Sequence, residues 1–188
     1  RASLREMQPY MPVEPPDLMA ERYGVPLERV VKLDANENPY GPSPRARAAL
    51  TGDYDAHRYP DPDQRRLREA LGRRHGVSPD TIVAGAGSDE IIDLLFRAYI
   101  EPGDRIAIAS PTFGMYAFDG ALHGAEVIDA PLRDDWSIDA EALLAAARQA
   151  KAVFIPSPNN PTGTLLQPEV AEALLSSGAL LVLDEAYI

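Results

Sequence analysis

The 188-residue sequence has no cysteine, which excludes disulfides, thiolate metal sites and thiol nucleophiles. Lysine is almost as scarce: Lys32 and Lys151 are the only two. Positive charge is in deficit overall, with 18 Lys+Arg against 29 Asp+Glu and a formal net charge of −11. A surface that grips nucleic acid neutralises phosphates with clustered Lys and Arg, and a surface for anionic membranes needs the same cations. Both are therefore excluded as partners. No apolar run comes near the ~20 residues of a membrane helix. Arg1-Ala-Ser-Leu-Arg-Glu has no apolar signal-peptide core. These absences predict a cytoplasmic protein, and no metal site is assigned. A start without Met and a stop at Tyr187-Ile188, directly after an apolar run, predict a piece of a longer chain.

What is present is globular in character: 45% hydrophobic and 25% charged residues. Eight of the 18 prolines fall within the first 45 residues, from Pro9 to Pro44. Proline fixes φ and restricts its predecessor, so residues 1–45 read as an extended arm with short turns. A helical turn at Glu21 to Tyr23 and a short strand at Val30 to Leu33 are its only regular elements. Such an arm has little core and must lie on another surface, such as that of a second subunit. Residues 46–188 form the other unit and alternate helix with strand. Helices are expected at Pro44 to Leu50, Pro62 to His75, Ser88 to Ile100, Thr112 to Leu122, Asp139 to Gln149 and Pro168 to Ser176. Strands are expected at Thr81 to Ala84, Arg105 to Ala109, Ala125 to Ile128, Lys151 to Ile155 and Ala179 to Leu183. The last two are apolar with little alternation, as in parallel strands covered on both faces. The fold class is therefore α/β, layered around a mostly parallel central sheet.

In open α/β sheets ligands sit beyond the carboxyl ends of the strands, so the residues after each strand are informative. Gly85-Ala-Gly87-Ser88-Asp89-Glu90 opens a helix, and free N–H groups at a helix start favour an anion. The plainer reading is a turn capped by Ser88. Ser110-Pro-Thr112-Phe113 puts a flat ring at a strand end, with Thr112 capping the next helix; the plainer reading is packing. Pro156-Ser-Pro-Asn159-Asn160-Pro161-Thr162-Gly163 is a loop fixed by three prolines that offers an amide. Asp184-Glu-Ala-Tyr187 ends a buried strand with a carboxylate, which is costly there without a cation or donors, and with a phenol. An anion cradle, a flat ring, an amide, a carboxylate and a phenol together suit a phosphorylated pyridine aldehyde.

Asn160-Pro-Thr-Gly163 followed by Asp184-Glu-Ala-Tyr187 resembles the fold-type I, class I/II aminotransferases, which use pyridoxal 5′-phosphate. Leu33-Asp-Ala-Asn36-Glu-Asn-Pro-Tyr-Gly41 and Arg58-Tyr59-Pro-Asp-Pro62 resemble the histidinol-phosphate aminotransferase branch, and the match runs in family order from about Tyr10 to Ile188. The resemblance implies a three-layer large domain preceded by the Pro-rich arm, with the rest of that domain and a C-terminal small domain outside these residues. It implies that Asp184 pairs with the protonated pyridine nitrogen and that Asn160 and Tyr187 bind the phenolate oxygen. Phe113 would stack on the ring, at a position that is often Tyr in this branch. Gly87, Ser88 and Asp89 would offer backbone N–H groups to the phosphate, and Tyr59 would reach the phosphate in the other subunit of a homodimer. Tyr10 and Asn36 would line the substrate pocket.

The family's cofactor lysine, in a Ser-x-Ser-Lys segment, has no counterpart here. Lys32 precedes the Asn36 motif, and Lys151 begins a strand at the end away from the pocket. The activity the resemblance implies, amino transfer between L-histidinol phosphate and 2-oxoglutarate in histidine biosynthesis, therefore belongs to a parent protein, and the 188 residues alone should be inactive. Aromatic-amino-acid aminotransferases and threonine-phosphate decarboxylases share the resemblance. A non-catalytic domain that binds the same cofactor is a further alternative.

Overall fold

The computed structural model describes Arg5, Met7, residues 13–52 and residues 57–188. Tyr10 lies outside the described residues. The chain divides into a unit of Pro9–Gln64 and a unit whose main body is Arg65–Ile188.

The Pro9–Gln64 unit holds helix α1 (Pro16–Tyr23), a 3₁₀ turn at Leu27–Arg29 and helix α2 (Pro44–Leu50). Pro16 starts α1 where a missing N–H costs nothing, and Gly24 ends it in the left-handed conformation. The helix is thus longer than the single turn expected at Glu21 to Tyr23. Ser43 caps α2 by accepting from the Ala46 N–H. Val30 to Leu33 form no strand, because no ladder partner lies beside them among the described residues. Only Ala20 is buried among the described residues of this unit, while Leu33, Tyr40, Leu50 and Tyr59 are exposed.

The second unit contains α3 (Arg65–His75), α4 (Ser88–Tyr99), β1 (Arg105–Ile108), α5 (Met115–His123), β2 (Glu126–Asp129), α6 (Ala140–Ala147), β3 (Ala152–Pro156), α7 (Pro168–Leu175) and β4 (Leu180–Asp184). The four strands form one parallel sheet in the order β2-β1-β3-β4. Alternation along the strands sends side chains to two separate cores. Ala107, Ala109, Val153 and Ile155 pack with Leu143, Ala146, Ala147 and Leu174 of α6 and α7. Ile106, Ile108, Ala152 and Phe154 pack with Ile92 and Phe96 of α4 and Tyr116 of α5. Helices on both faces of a parallel sheet make the three-layer α/β arrangement. Gly120 lets α5 approach the sheet closely, since a Cβ there would lie 3.1 Å from Ile106 Cδ1 and 3.3 Å from Val127 Cγ2.

Thr81 to Ala84 form no strand: Thr81 closes a 3₁₀ turn (Pro79–Thr81), and the extended residues after it pair with no strand among those described. β3 is buried along its whole length, but β4 at the end of the sheet is partly exposed. No helix of the described residues is long and apolar enough to cross a membrane.

Candidate active site

After β1 the chain turns to β2 on one side, and β3 then joins β1 on the other. The order reverses between β1 and β3, and a crevice outside the carboxyl ends of such strands is the natural ligand position. A cleft of about 250 Å³ lies there, lined by Gly87, Ser88, Asp89, Phe113, Asn160, Asp184 and Tyr187 with Ala86, Pro156 and Ala186. Seven residues singled out in the sequence are thus brought to one place.

Each arrives for a local reason. Gly87 has φ 92° and ψ 178°, a conformation open almost only to glycine, and it starts α4. Gly87 rather than Ser88 is the cap residue, and no side chain caps the helix. The first turn of any helix leaves N–H groups without intrahelical acceptors, so α4 presents donors to the cleft. The Glu90 carboxylate turns back to accept from the Ala86 N–H.

Phe113 sits in the loop before α5. It is not in the helix, which starts at Met115 with Gly114 as its cap residue. Thr112 likewise caps nothing: its hydroxyl donates to Asn159 Oδ1 at 3.0 Å. Asn159 is buried and its amide donates to the Pro111 carbonyl at 3.0 Å and to Thr162 Oγ1 at 2.8 Å. One side chain therefore ties the loop carrying Phe113 to the loop carrying Asn160. The Ser110 N–H and hydroxyl fasten the first loop to Asp129 at the end of β2, at 3.0 and 2.6 Å.

Asp184 closes β4 opposite Pro156 of β3, and the Ser157 N–H donates to the Asp184 carbonyl at 2.8 Å. Its carboxylate receives one donor on each oxygen: the Tyr116 hydroxyl on Oδ2 at 2.8 Å and the Ala186 N–H on Oδ1 at 3.0 Å. Tyr116 is fully buried, and burial together with the Asp184 carboxylate pushes its phenol well above the ordinary tyrosine value. It therefore stays a donor. The Phe113 ring meets Tyr116 edge-on at 5.6 Å.

Sequence reading missed Tyr116 and the tying role of Asn159. A signal existed for the first, since a hydroxyl inside an apolar helix start such as Met115-Tyr-Ala-Phe needs a partner once buried. Neither lysine lines the cleft. Lys151 pairs with Asp104 at 2.6 Å beside the start of β1, at the end away from the cleft, and Lys32 pairs with Asp34 at 2.8 Å in the other unit. Asn36, with φ 52°, and the fully exposed Tyr59 also belong to the Pro9–Gln64 unit.

The chain matches the family described as aminotransferase class I and II over residues 28–188. The chain belongs to that family. It is 50% identical to the histidinol-phosphate aminotransferase of Roseiflexus castenholzii, over 100% of this chain and 52% of that protein. It is 43% identical to the chloroplastic histidinol-phosphate aminotransferase of Nicotiana plumbaginifolia, over 100% of this chain and 46% of that protein. Among solved structures, a histidinol-phosphate aminotransferase from Sinorhizobium meliloti in complex with pyridoxal 5′-phosphate superposes with a TM-score of 0.81 at 29% identity. That match covers 98% of this chain and 50% of that one. The chain thus spans about half the length of the aminotransferases it matches.

Proposed function

We propose that the protein to which these residues belong is a pyridoxal 5′-phosphate-dependent aminotransferase that exchanges the amino group between L-histidinol phosphate and 2-oxoglutarate in histidine biosynthesis. The observation that carries the reading is a carboxylate, Asp184, held by two donors and lining the same cleft as the start of α4 and the Phe113 ring. That donor set fits the cofactor: an acid for a cationic ring nitrogen, helix-start N–H groups for a phosphate, and an aromatic side chain for a flat ring.

In this reading Gly87, Ser88 and Asp89 bind the phosphate through backbone N–H groups, and the α4 dipole adds to the attraction. Phe113 stacks on the ring and fixes its plane. Asn160 and Tyr187 donate to the phenolate oxygen, and Asp184 holds the proton on the ring nitrogen. The chemistry supplied when pyridoxal 5′-phosphate is bound is that of an electron sink for the pair left as the substrate Cα–H bond breaks. The Asp184 charge preserves that sink by keeping the nitrogen cationic. Lys151 pairs with Asp104 at the end of the sheet away from the cleft, and neither lysine stands in a Ser-x-Ser-Lys segment, so we assign the cofactor amine to the remainder of the protein. The 188 residues alone then have no transaminase activity.

The same reading makes the protein a cytoplasmic homodimer acting on small amino and oxo acids. Tyr59 would contact the phosphate in the neighbouring subunit, and Tyr10 and Asn36 would line the substrate pocket. The apolar side chains left exposed in the Pro9–Gln64 unit support a partner surface. The test is a substrate panel on the full-length protein with 2-oxoglutarate as acceptor. Histidinol phosphate should exceed phenylalanine and tyrosine in kcat/KM by about a hundredfold or more, because a substrate pocket whose polar groups pair with a phosphate would leave them unpaired with ligands that lack one. A preference for aromatic amino acids, or release of carbon dioxide from threonine phosphate, would overturn the substrate assignment.

A further inference from the structure

Of the aromatic side chains in the core between the sheet, α4 and α5, Tyr116 alone carries a hydroxyl. Phe96 and Phe154 stack at 5.1 Å, Tyr116 stacks on Phe154 at 5.4 Å, and Phe113 meets Tyr116 at 5.6 Å. A phenylalanine would satisfy that packing equally well, and a buried hydroxyl without a partner is unfavourable. Among the described residues the hydroxyl bonds Asp184 Oδ2, at 2.8 Å and 68 residues later in the chain. Tyr116 itself is fully buried and is not among the residues lining the cleft. We infer that Tyr116 is a positioning residue, which acts on the bound cofactor only through Asp184.

Asp184 ends β4, paired there with Pro156 of β3, and its backbone carbonyl accepts from the Ser157 N–H. The Ala186 N–H bonds Oδ1 from the turn immediately after the strand. The Tyr116 hydroxyl bonds Oδ2 from α5, packed on the sheet, and its ring is held between Phe154 and Phe113. Two donors from different directions set the carboxylate plane. The Phe113 and Tyr116 rings touch, so the aromatic wall and the acid are placed by one packed cluster. The inference rests on the reading that Asp184 meets the cofactor's ring nitrogen, and the experiment separates the two.

Apoenzyme of the full-length protein is titrated by calorimetry with pyridoxal 5′-phosphate and with its 1-deaza analogue, in which CH replaces the ring nitrogen. Wild type, Tyr116→Phe and Asp184→Asn are compared. Hydrogen bonds to ionised groups are among the stronger ones, so Tyr116→Phe should raise Kd for pyridoxal 5′-phosphate about tenfold. It should leave Kd for the deaza analogue nearly unchanged. Both ligands are measured on the same protein, so a reduced folded fraction shifts the two alike and leaves their ratio intact. Asp184→Asn should abolish the preference for the nitrogen-bearing ring. If Asp184→Asn loses that preference while Tyr116→Phe keeps the wild-type ratio, the positioning role is wrong and the Asp184 reading stands. If Asp184→Asn keeps the wild-type ratio, the Asp184 reading fails and the inference fails with it.

Discussion

Asn159 Oδ1 accepts a hydrogen bond from the Thr112 hydroxyl at 3.0 Å, across 47 residues of chain. With its amide on the Pro111 carbonyl and Thr162 Oγ1, the side chain uses both of its polar ends inside the protein. Asn159→Ala removes all three bonds at a buried position, which should cost about 2–4 kcal/mol. Thr112→Val removes one and should cost about 1 kcal/mol. Thermal unfolding of the two variants checks the ranking. Equal losses would show that the two loops are not held together by Asn159.

A second prediction concerns Asp119, which is buried on α5 with Oδ2 bonded to nothing among the described residues. Burial raises its carboxyl above the ordinary value, the Asp93 and Asp89 charges add to the rise, and His123 opposes it. The sign follows from linkage. A raised folded-state value favours the protonated form, so the contribution is fully present below about pH 4 and is lost as pH climbs through the folded value. Asp119→Asn removes that loss. The variant should gain about 1–2 kcal/mol relative to wild type at pH 7 and little at pH 4. Melting temperatures of both proteins from pH 4 to 8 should diverge toward high pH; parallel curves would contradict the assignment.

Tyr59 tests the assembly part of the proposal. Its side chain is fully exposed, so Tyr59→Phe should leave the melting temperature of the apoprotein unchanged. If its hydroxyl meets the phosphate in a neighbouring subunit, cofactor retention on dilution should fall several-fold in an intact dimer. Unchanged retention would remove Tyr59 from the site.

The site was legible in the sequence where each functional group follows its own strand or opens its own helix. Phe113, Asn160 and Asp184 could be found by reading past strand ends, and Gly87 by the conformation a helix start demands. The bond from Tyr116 to Asp184 could not be read that way, because it joins residues 68 apart and depends on how α5 packs on the sheet. Thr112 looked like a helix cap because threonine before an apolar run usually is one. The helix begins three residues later and the hydroxyl goes to Asn159 instead. Val30 to Leu33 and Thr81 to Ala84 have strand-like residues without strands, since pairing depends on a neighbour that local pattern cannot supply.

In the proposed reaction Asp184 holds the proton of a bound pyridine ring. Nitrogen NMR of the full-length holoenzyme, with the cofactor ¹⁵N-labelled in its ring, reads that proton directly. The account predicts a pyridinium resonance in wild type at neutral and mildly alkaline pH, and an unprotonated pyridine resonance in Asp184→Asn at the same pH. An unprotonated nitrogen in wild type, or the same resonance position in both proteins, would contradict it.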